Sequence, residues 1–238
     1  MIKIENVDVY GWEAAVRGMR NPMNSWNKSD SRWGCFPGHK YPECGEDCRY
    51  ECDFIIGEND LKLMKSLVKA GSDHRKFMRM INVTMDITSP LYWWKEYDTY
   101  KVSTTANSCS TMHKIADKEF TLNDFSHEHL MTGYCGYEIG IQYNSEYDDT
   151  PEEVLDYIVH ALNMCRKKYI ETKDKKYWWQ MIQLLPSSYN QRRTVQLNYE
   201  VLTNMYRARK NHKLDEWREF CDFIESLPYA KDLICMGA

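Results

Sequence analysis

The apolar and polar positions of the chain fall into two periods. Residues 80–88, MINVTMDIT, alternate strictly: Ile81, Val83, Met85 and Ile87 are apolar, with Asn82, Thr84, Asp86 and Thr88 polar between them. A period of two predicts a strand with one face buried and the other wet or facing a ligand. Residues 2–9 (IKIENVDV) alternate more loosely, carry β-branched side chains and predict a first strand. Elsewhere the period is helical. Trp12, Ala15, Val16 and Met19 share one side of a helix beginning near residue 10, and Leu61, Met64, Leu67 and Val68 recur over 59–70, with Gly71 as a stop. Pro90 starts a short helix holding 92–97. Thr150-Pro151-Glu152-Glu153 is a capping box with Pro at the first helical position, so a helix begins at 151 with a stripe of Val154, Leu155, Ile158, Leu162 and Cys165. Further helices are expected over 178–185, 199–209 and 215–227, the last presenting Trp217, Phe220, Cys221, Ile224 and Leu227 on one face. Residues 28–53 read as a loop or inserted lobe, and residues 99–112 as polar and irregular. Early strands followed by many helices predict an α+β fold.

Composition narrows the function. The 238 residues suit one domain, 1–238, with a Cys-rich insertion at about 33–53. A formal charge of −4 gives no global basic field for nucleic acid. No apolar run approaches a membrane span and MIKIENVDVY lacks a secretory core, so a cytoplasmic, soluble protein with no membrane partner is expected. The 17 Tyr and 8 Trp suit flat ligands such as nucleobases or flavins, and equally a well-filled core. Among nine cysteines, Cys44, Cys48 and Cys52 are spaced four apart, with Cys35 and His39 nearby. With Cys35, or with His39 in its place, Cys44, Cys48 and Cys52 are read either as a thiolate-rich zinc site or, since the usual C-x-x-C spacing is missing, as reduced thiols in a loop.

Few chemical motifs stand out by themselves. There is no phosphate-binding Walker loop, dinucleotide glycine fingerprint, G-x-S-x-G elbow or H-E-x-x-H. Ser126-His127-Glu128-His129 places its histidines at i and i+2, which do not share a helical face, so a solvated surface is expected. Arg209 is different. It follows Met205 by four residues and Leu202 by seven, on the buried side of its helix. An inward guanidinium needs a carboxylate, phosphate or polarised carbonyl; the alternative is an arginine that snorkels at the helix end.

Residues 181–219, MIQLLPSSYNQRRTVQLNYEVLTNMYRARKNHKLDEWRE, resemble the C-terminal signature of flavin-dependent thymidylate synthases. Leu185-Pro186, Asn198, Asn204, Arg209, His212 and Glu216 fall on its positions, with one residue fewer between Arg209 and His212. Residues 90–113, PLYWWKEYDTYKVSTTANSCSTMH, fit the same family as a Pro, an aromatic helix and a nucleotide-and-flavin loop. Asn107-Ser108-Cys109-Ser110 matches the loop's Asn-x-x-Ser with one residue inserted. The resemblance runs from about residue 57 onward and does not cover 33–53. It implies a homotetramer of an α+β fold, with a small central mixed or antiparallel sheet, surrounding helices and sites at subunit interfaces. It implies transfer of a methylene from methylenetetrahydrofolate to dUMP or a related pyrimidine nucleotide, with FAD as cofactor and NADPH as reductant.

By the same resemblance Arg209 is catalytic and binds the uracil. Glu96, Ser108, Cys109, Ser110, Thr111 and Met112 line the nucleotide, and Thr99, Tyr100, Lys101, Asn107, Asn198, Glu200, Asn204 and His212 lie toward the flavin. Several cations of the family are absent. Thr99-Tyr100-Lys101 stands for its Arg-His-Arg, Met112 for the loop's second arginine, Ile182 for an arginine upstream of the Leu-Pro, Glu96 for a glutamine that faces the nucleotide and Glu200 for a flavin-side arginine. Each charge-assisted bond lost is worth roughly 1.5–3 kcal/mol. Lys95, Lys101, Lys114, Arg192 and Arg193 are candidate replacements, with the hydroxyls and amides of 102–111. The alternative is a catalytically altered or inactive nucleotide-binding protein of the same fold.

Overall fold

A computed structural model of the chain describes residues 2–34, 53–132 and 149–238. The chain opens with strand β1 (Lys3–Tyr10) and helix α1 (Trp12–Arg20), which buries Trp12, Ala15, Val16 and Met19 as the periodicity predicts. Between them Gly11 adopts φ 95°, and a Cβ there would lie 2.1 Å from the Met80 carbonyl oxygen, so only glycine fits. Helix α2 (Glu58–Lys69) ends before Gly71, whose φ of 102° closes it. Strand β4 (Asn82–Pro90) alternates buried and half-buried residues without a break up to Thr88, as its sequence dictates. Pro90 then caps α3 (Leu91–Tyr97) rather than entering it.

Two irregular expectations are corrected. The ends of the 28–53 segment pair as an antiparallel ladder, β2 (Arg32–Gly34) with β3 (Asp53–Ile55), in which Trp33 faces Phe54. The 99–112 segment holds β5 (Thr105–Ser108) and a single turn, α4 (Thr111–Lys114). All four β5 residues are exposed, so its strand state comes from pairing and not from an apolar face. A further strand, β6 (Asn190–Asn198), lies within the signature segment; its polar run NQRRTVQLN buries Gln191, Val195, Leu197 and Asn198. The central sheet has the order β1-β4-β6-β5. With the helices this is the α+β class expected.

The described residues gather into two compact units, each discontinuous in sequence. The first takes Met1–Glu5, Asp86–Thr99 and Ala106–Thr194. Its core joins Ile115, Phe120 and Phe125 to Leu155, Val159 and Leu162 of α5 (Pro151–Thr172) and Met181 of α6 (Lys175–Leu184). Helix α5 starts with the predicted capping box: Thr150 Oγ1 accepts from the Glu153 amide and the Glu153 carboxylate accepts from the Thr150 amide. The second unit takes Asn6–Met85, Tyr100–Thr105 and Val195–Ala238. There α7 (Tyr199–Arg209) packs on α8 (Asp215–Ser226) and on a terminal π-turn, Lys231–Cys235. The α8 stripe of Trp217, Phe220, Cys221, Ile224 and Leu227 is buried throughout.

Candidate functional site

In the first unit, the polar loop is pinned to β6 by its backbone. The Cys109 amide donates to the Arg192 carbonyl (2.9 Å), and Gln191 Nε2 donates to the Cys109 carbonyl (2.9 Å). Ser110 caps α4, its Oγ accepting from the His113 amide. Behind this, Trp94 Nε1 donates to the Gln191 carbonyl, and Trp93, Trp94 and Tyr97 are fully buried against one another. The aromatic half of the 90–113 segment is thus an anchor, and the polar half is held at one edge of it.

The result is a cleft of about 260 Å³ walled by the loop and β6. Cys109, Ser110 and Thr111, three of the residues matched to the nucleotide loop, line it together with Lys114, Lys118 and Arg192. Each cation carries an aspartate. Lys114 meets Asp117 (2.9 Å), Lys118 meets Asp124, and Arg192 meets Asp86 (2.7 Å). Donating a hydrogen bond to Asp117 raises Lys114 and donating one to Asp86 raises Arg192, so both stay charged. Of the other expected nucleotide residues, Ser108 is exposed at the end of β5. Met112 is exposed and gives its carbonyl to Trp178 Nε1, and Glu96 gives its carbonyl to Thr99. Asn107 is exposed on β5. Of the cation candidates in this unit, Lys95 is exposed on α3. Arg193 is committed to the fold: its guanidinium lies 4.2 Å from the Trp94 ring centre and pairs with Asp98.

In the second unit, Arg209 is half-buried and oriented on two sides. Its Nε–H donates to the Tyr100 hydroxyl (3.0 Å), and its guanidinium lies 4.8 Å from the Trp217 ring centre and 5.6 Å from that of Tyr100. His212 stands edge-on to the same Trp217, and its Nδ1 accepts from the Leu214 amide (3.2 Å). Beneath them, burial pushes the Cys221 thiol up to about 12, so it stays neutral. Lys101 and Asn204 are exposed. Asn198 and Glu200 instead serve the fold. Asn198 Oδ1 caps α7 through the Val201 amide, and Glu200 is buried in a two-pronged pair with Arg75.

Cys35, Cys44, Cys48 and Cys52 lie outside the described residues, and among the described residues no group of three His, Cys, Asp or Glu side chains could hold a metal ion. His127 turns its ring onto the Phe125 carbonyl and Glu128 accepts from Ser126. Two features escaped sequence reasoning. Lys118 enters the cleft from beyond the loop; its only trace is its spacing of four from Lys114. Trp217 read as core, and its periodicity carried no sign that its ring also seats Arg209.

No family model matches the sequence, and no curated relative matches it. Solved structures do. The flavin-dependent thymidylate synthase ThyX of Helicobacter pylori, crystallised with FAD and dUMP, matches with a TM-score of 0.63 at 14% identity, over 98% of this chain and 97% of its own. A second structure of that enzyme with FAD and dUMP gives 0.62 at the same identity and coverage. The UMP/dUMP methylase PolB of Streptomyces cacaoi, bound with 5-Br dUMP, gives 0.55 at 14% identity over 99% of this chain and 94% of its own. Identity this low speaks to architecture, and that architecture covers nearly the whole length. The chain has the fold of the flavin-dependent thymidylate synthases.

Proposed function

We propose that the protein methylates the pyrimidine ring of dUMP or a closely related pyrimidine nucleotide, with FAD bound, methylenetetrahydrofolate as one-carbon donor and NADPH as reductant. One observation carries the reading: Arg209, matched to the uracil-binding arginine, is half-buried and oriented by Tyr100 and Trp217. A guanidinium fixed in this way stabilises negative charge that develops on a uracil carbonyl as C5 becomes nucleophilic, without reorganising at the moment of reaction. The solved neighbours support the substrate class, since two hold dUMP and the third 5-Br dUMP.

A flavin, when bound, supplies the reducing equivalents. With Asn198 and Glu200 committed to the fold, the second unit offers it Lys101, Asn204 and His212, a cation, an amide and an imidazole suited to a ring edge and a pyrophosphate. In the first unit Thr99 and Asn107 remain exposed. The family's assembly, a homotetramer in the cytoplasm, is part of the same proposal. The test is the visible spectrum of the purified protein, followed by tritium release from C5-labelled dUMP with folate and NADPH. A yellow protein that releases tritium is expected; a colourless one that takes up no added FAD would sink the reading.

A second reading, nucleotide binding without turnover, draws on Glu200, which carries a buried negative charge where the family carries a flavin-side cation. Calorimetry against a panel of nucleotides separates the two. Tight binding of a nucleotide by a protein that takes up no flavin favours the second.

A further inference from the structure

We propose that the first unit's cleft is the phosphate seat of this protein, with Lys114, Lys118 and Arg192 exchanging their aspartates for the phosphate of a nucleoside monophosphate. The inference rests on the reading of the protein as one that binds a nucleotide. It names which residues grip that ligand where the loop arginines are missing.

The ion pairs are built to open. The three cations are 63%, 69% and 51% exposed, so water screens the charge that each brings to its pair, although Asp124 and Asp86 are themselves largely shielded. Releasing them strands no carboxylate. Asp86 keeps the Thr194 hydroxyl (2.5 Å), and Asp124 keeps the Thr121 amide (2.9 Å) and hydroxyl (3.1 Å). Asp117 faces solvent with 57% of its side chain. A dianionic phosphate offers the cations charge-assisted bonds of the same kind, with two negative charges shared among the three. Ser110 Oγ accepts from the His113 amide, which leaves its hydroxyl hydrogen to donate to the same phosphate.

A second observation suits a ligand that is more than an anion. Asn190 also lines the cleft, and its Oδ1 is buried without a hydrogen-bond partner. A buried acceptor left unmade is costly and calls for a donor. Once the Asn190 amide turns into the cleft, a sugar hydroxyl or a ring N–H of a nucleotide supplies one, whereas a fully ionised phosphate does not. The volume agrees. About 260 Å³ corresponds to roughly eight or nine waters at about 30 Å³ each, room for a phosphate and part of a sugar.

The test is calorimetry on the full-length protein, with and without added FAD, using dUMP, deoxyuridine and inorganic phosphate. Wild type is expected to prefer dUMP over deoxyuridine at least ten-fold. Lys114→Gln, Lys118→Gln and Arg192→Gln should each weaken dUMP by roughly ten-fold or more, without changing deoxyuridine. Lysine-to-arginine variants at 114 and 118 should restore most of the loss, which a folding defect would not allow. Asn190→Ala should weaken dUMP and leave inorganic phosphate unchanged. If the three glutamine variants bind dUMP like wild type while dUMP still outbinds deoxyuridine, the phosphate sits elsewhere and this inference falls, with the proposed function intact. If inorganic phosphate binds and is lost in the glutamine variants while no pyrimidine nucleotide binds, the seat stands and the proposed function falls. Binding of neither dUMP nor phosphate overturns the inference.

Discussion

The two units use ion pairs in opposite ways. In the second unit, Arg20–Asp60 (2.6 Å) and Arg75–Glu200 (2.9 Å) are almost wholly shielded from water. Every arm of the first pair is satisfied. Asp60 also accepts from the Ser29 and Ser31 hydroxyls and the Asp30 and Ser31 amides, while Arg20 donates to the Ser25 and Lys28 carbonyls. This ties the chain ahead of β2 to α2. In the first unit, the cations Lys114, Lys118 and Arg192 stand exposed, with Asp117 exposed beside Lys114 and with Asp124 and Asp86 largely shielded behind the other two. Burial makes the difference. A shielded charge whose partner is removed has no water to turn to, so the pair becomes part of the fold; an exposed pair can trade its partner for a ligand. The contrast also explains why Glu200, at a flavin-side position in the resemblance, is not available to a cofactor.

The comparison breaks most severely at Asp60. Asp60→Ala leaves Arg20 buried and uncompensated, and urea denaturation should show a loss of about 3–5 kcal/mol. The same residue gives the contrast a pH signature. Burial pushes the Asp60 carboxyl up, but hydrogen bonds from Ser29, Ser31 and Arg20 and the Arg20 charge outweigh it and hold the group below its ordinary value. A lowered native pKa contributes stability that is present above the unfolded value, about 3.9, and is lost as pH falls toward the native one. Asp60→Asn should therefore flatten the acid limb of stability below about pH 4 relative to wild type. An unchanged limb would show the pair to be weaker than its geometry says.

Next comes Glu200. Glu200→Ala should cost about 3 kcal/mol by orphaning Arg75, whereas Arg75→Met combined with Glu200→Met should recover most of that in thermal melts. A double variant no better than the single one would mean that Arg75 matters chiefly through its bond to the Gly237 carbonyl (2.5 Å). Arg209→Lys tests the third kind of cation, one oriented by aromatic rings. It keeps the charge but loses the planar stack and the Nε–H bond to Tyr100, so turnover under the proposed reaction should fall by about 100-fold with melting little changed. At the small end, Lys118→Ala should cost under about 1 kcal/mol in the same melts. A larger loss would make the cleft's cations structural after all.

Much of the fold is legible in the sequence because it is local and periodic. The alternation of Ile81 to Thr88, the capping box at Thr150 and the stripe from Trp217 to Leu227 each encode burial within one element, and each element forms where expected. Strands β5 and β6 are illegible for a matching reason. β5 has no buried face at all and β6 carries Gln191, Arg192 and Arg193 in its first half, so both are strands because a neighbour's backbone accepts their hydrogen bonds. The site divides the same way. A resemblance in short motifs singled out Ser110, Cys109 and Arg209, and the chain spacing around Leu202, Met205 and Arg209 set the arginine on the inner side of its helix.

What only the tertiary structure decided is partnership. Glu200 meets Arg75 across 125 residues of sequence, and Arg192 meets Asp86 across 106. Of five cations that the sequence offered for the missing arginines, folding brings Lys114 and Arg192 to the cleft, adds Lys118 and commits Arg193 to Trp94 and Asp98. Periodicity reports how one side chain relates to its own helix or strand. Which charges share a cleft, and which are shut away from water, depends on distances between segments far apart in the chain, and no local pattern carries that information.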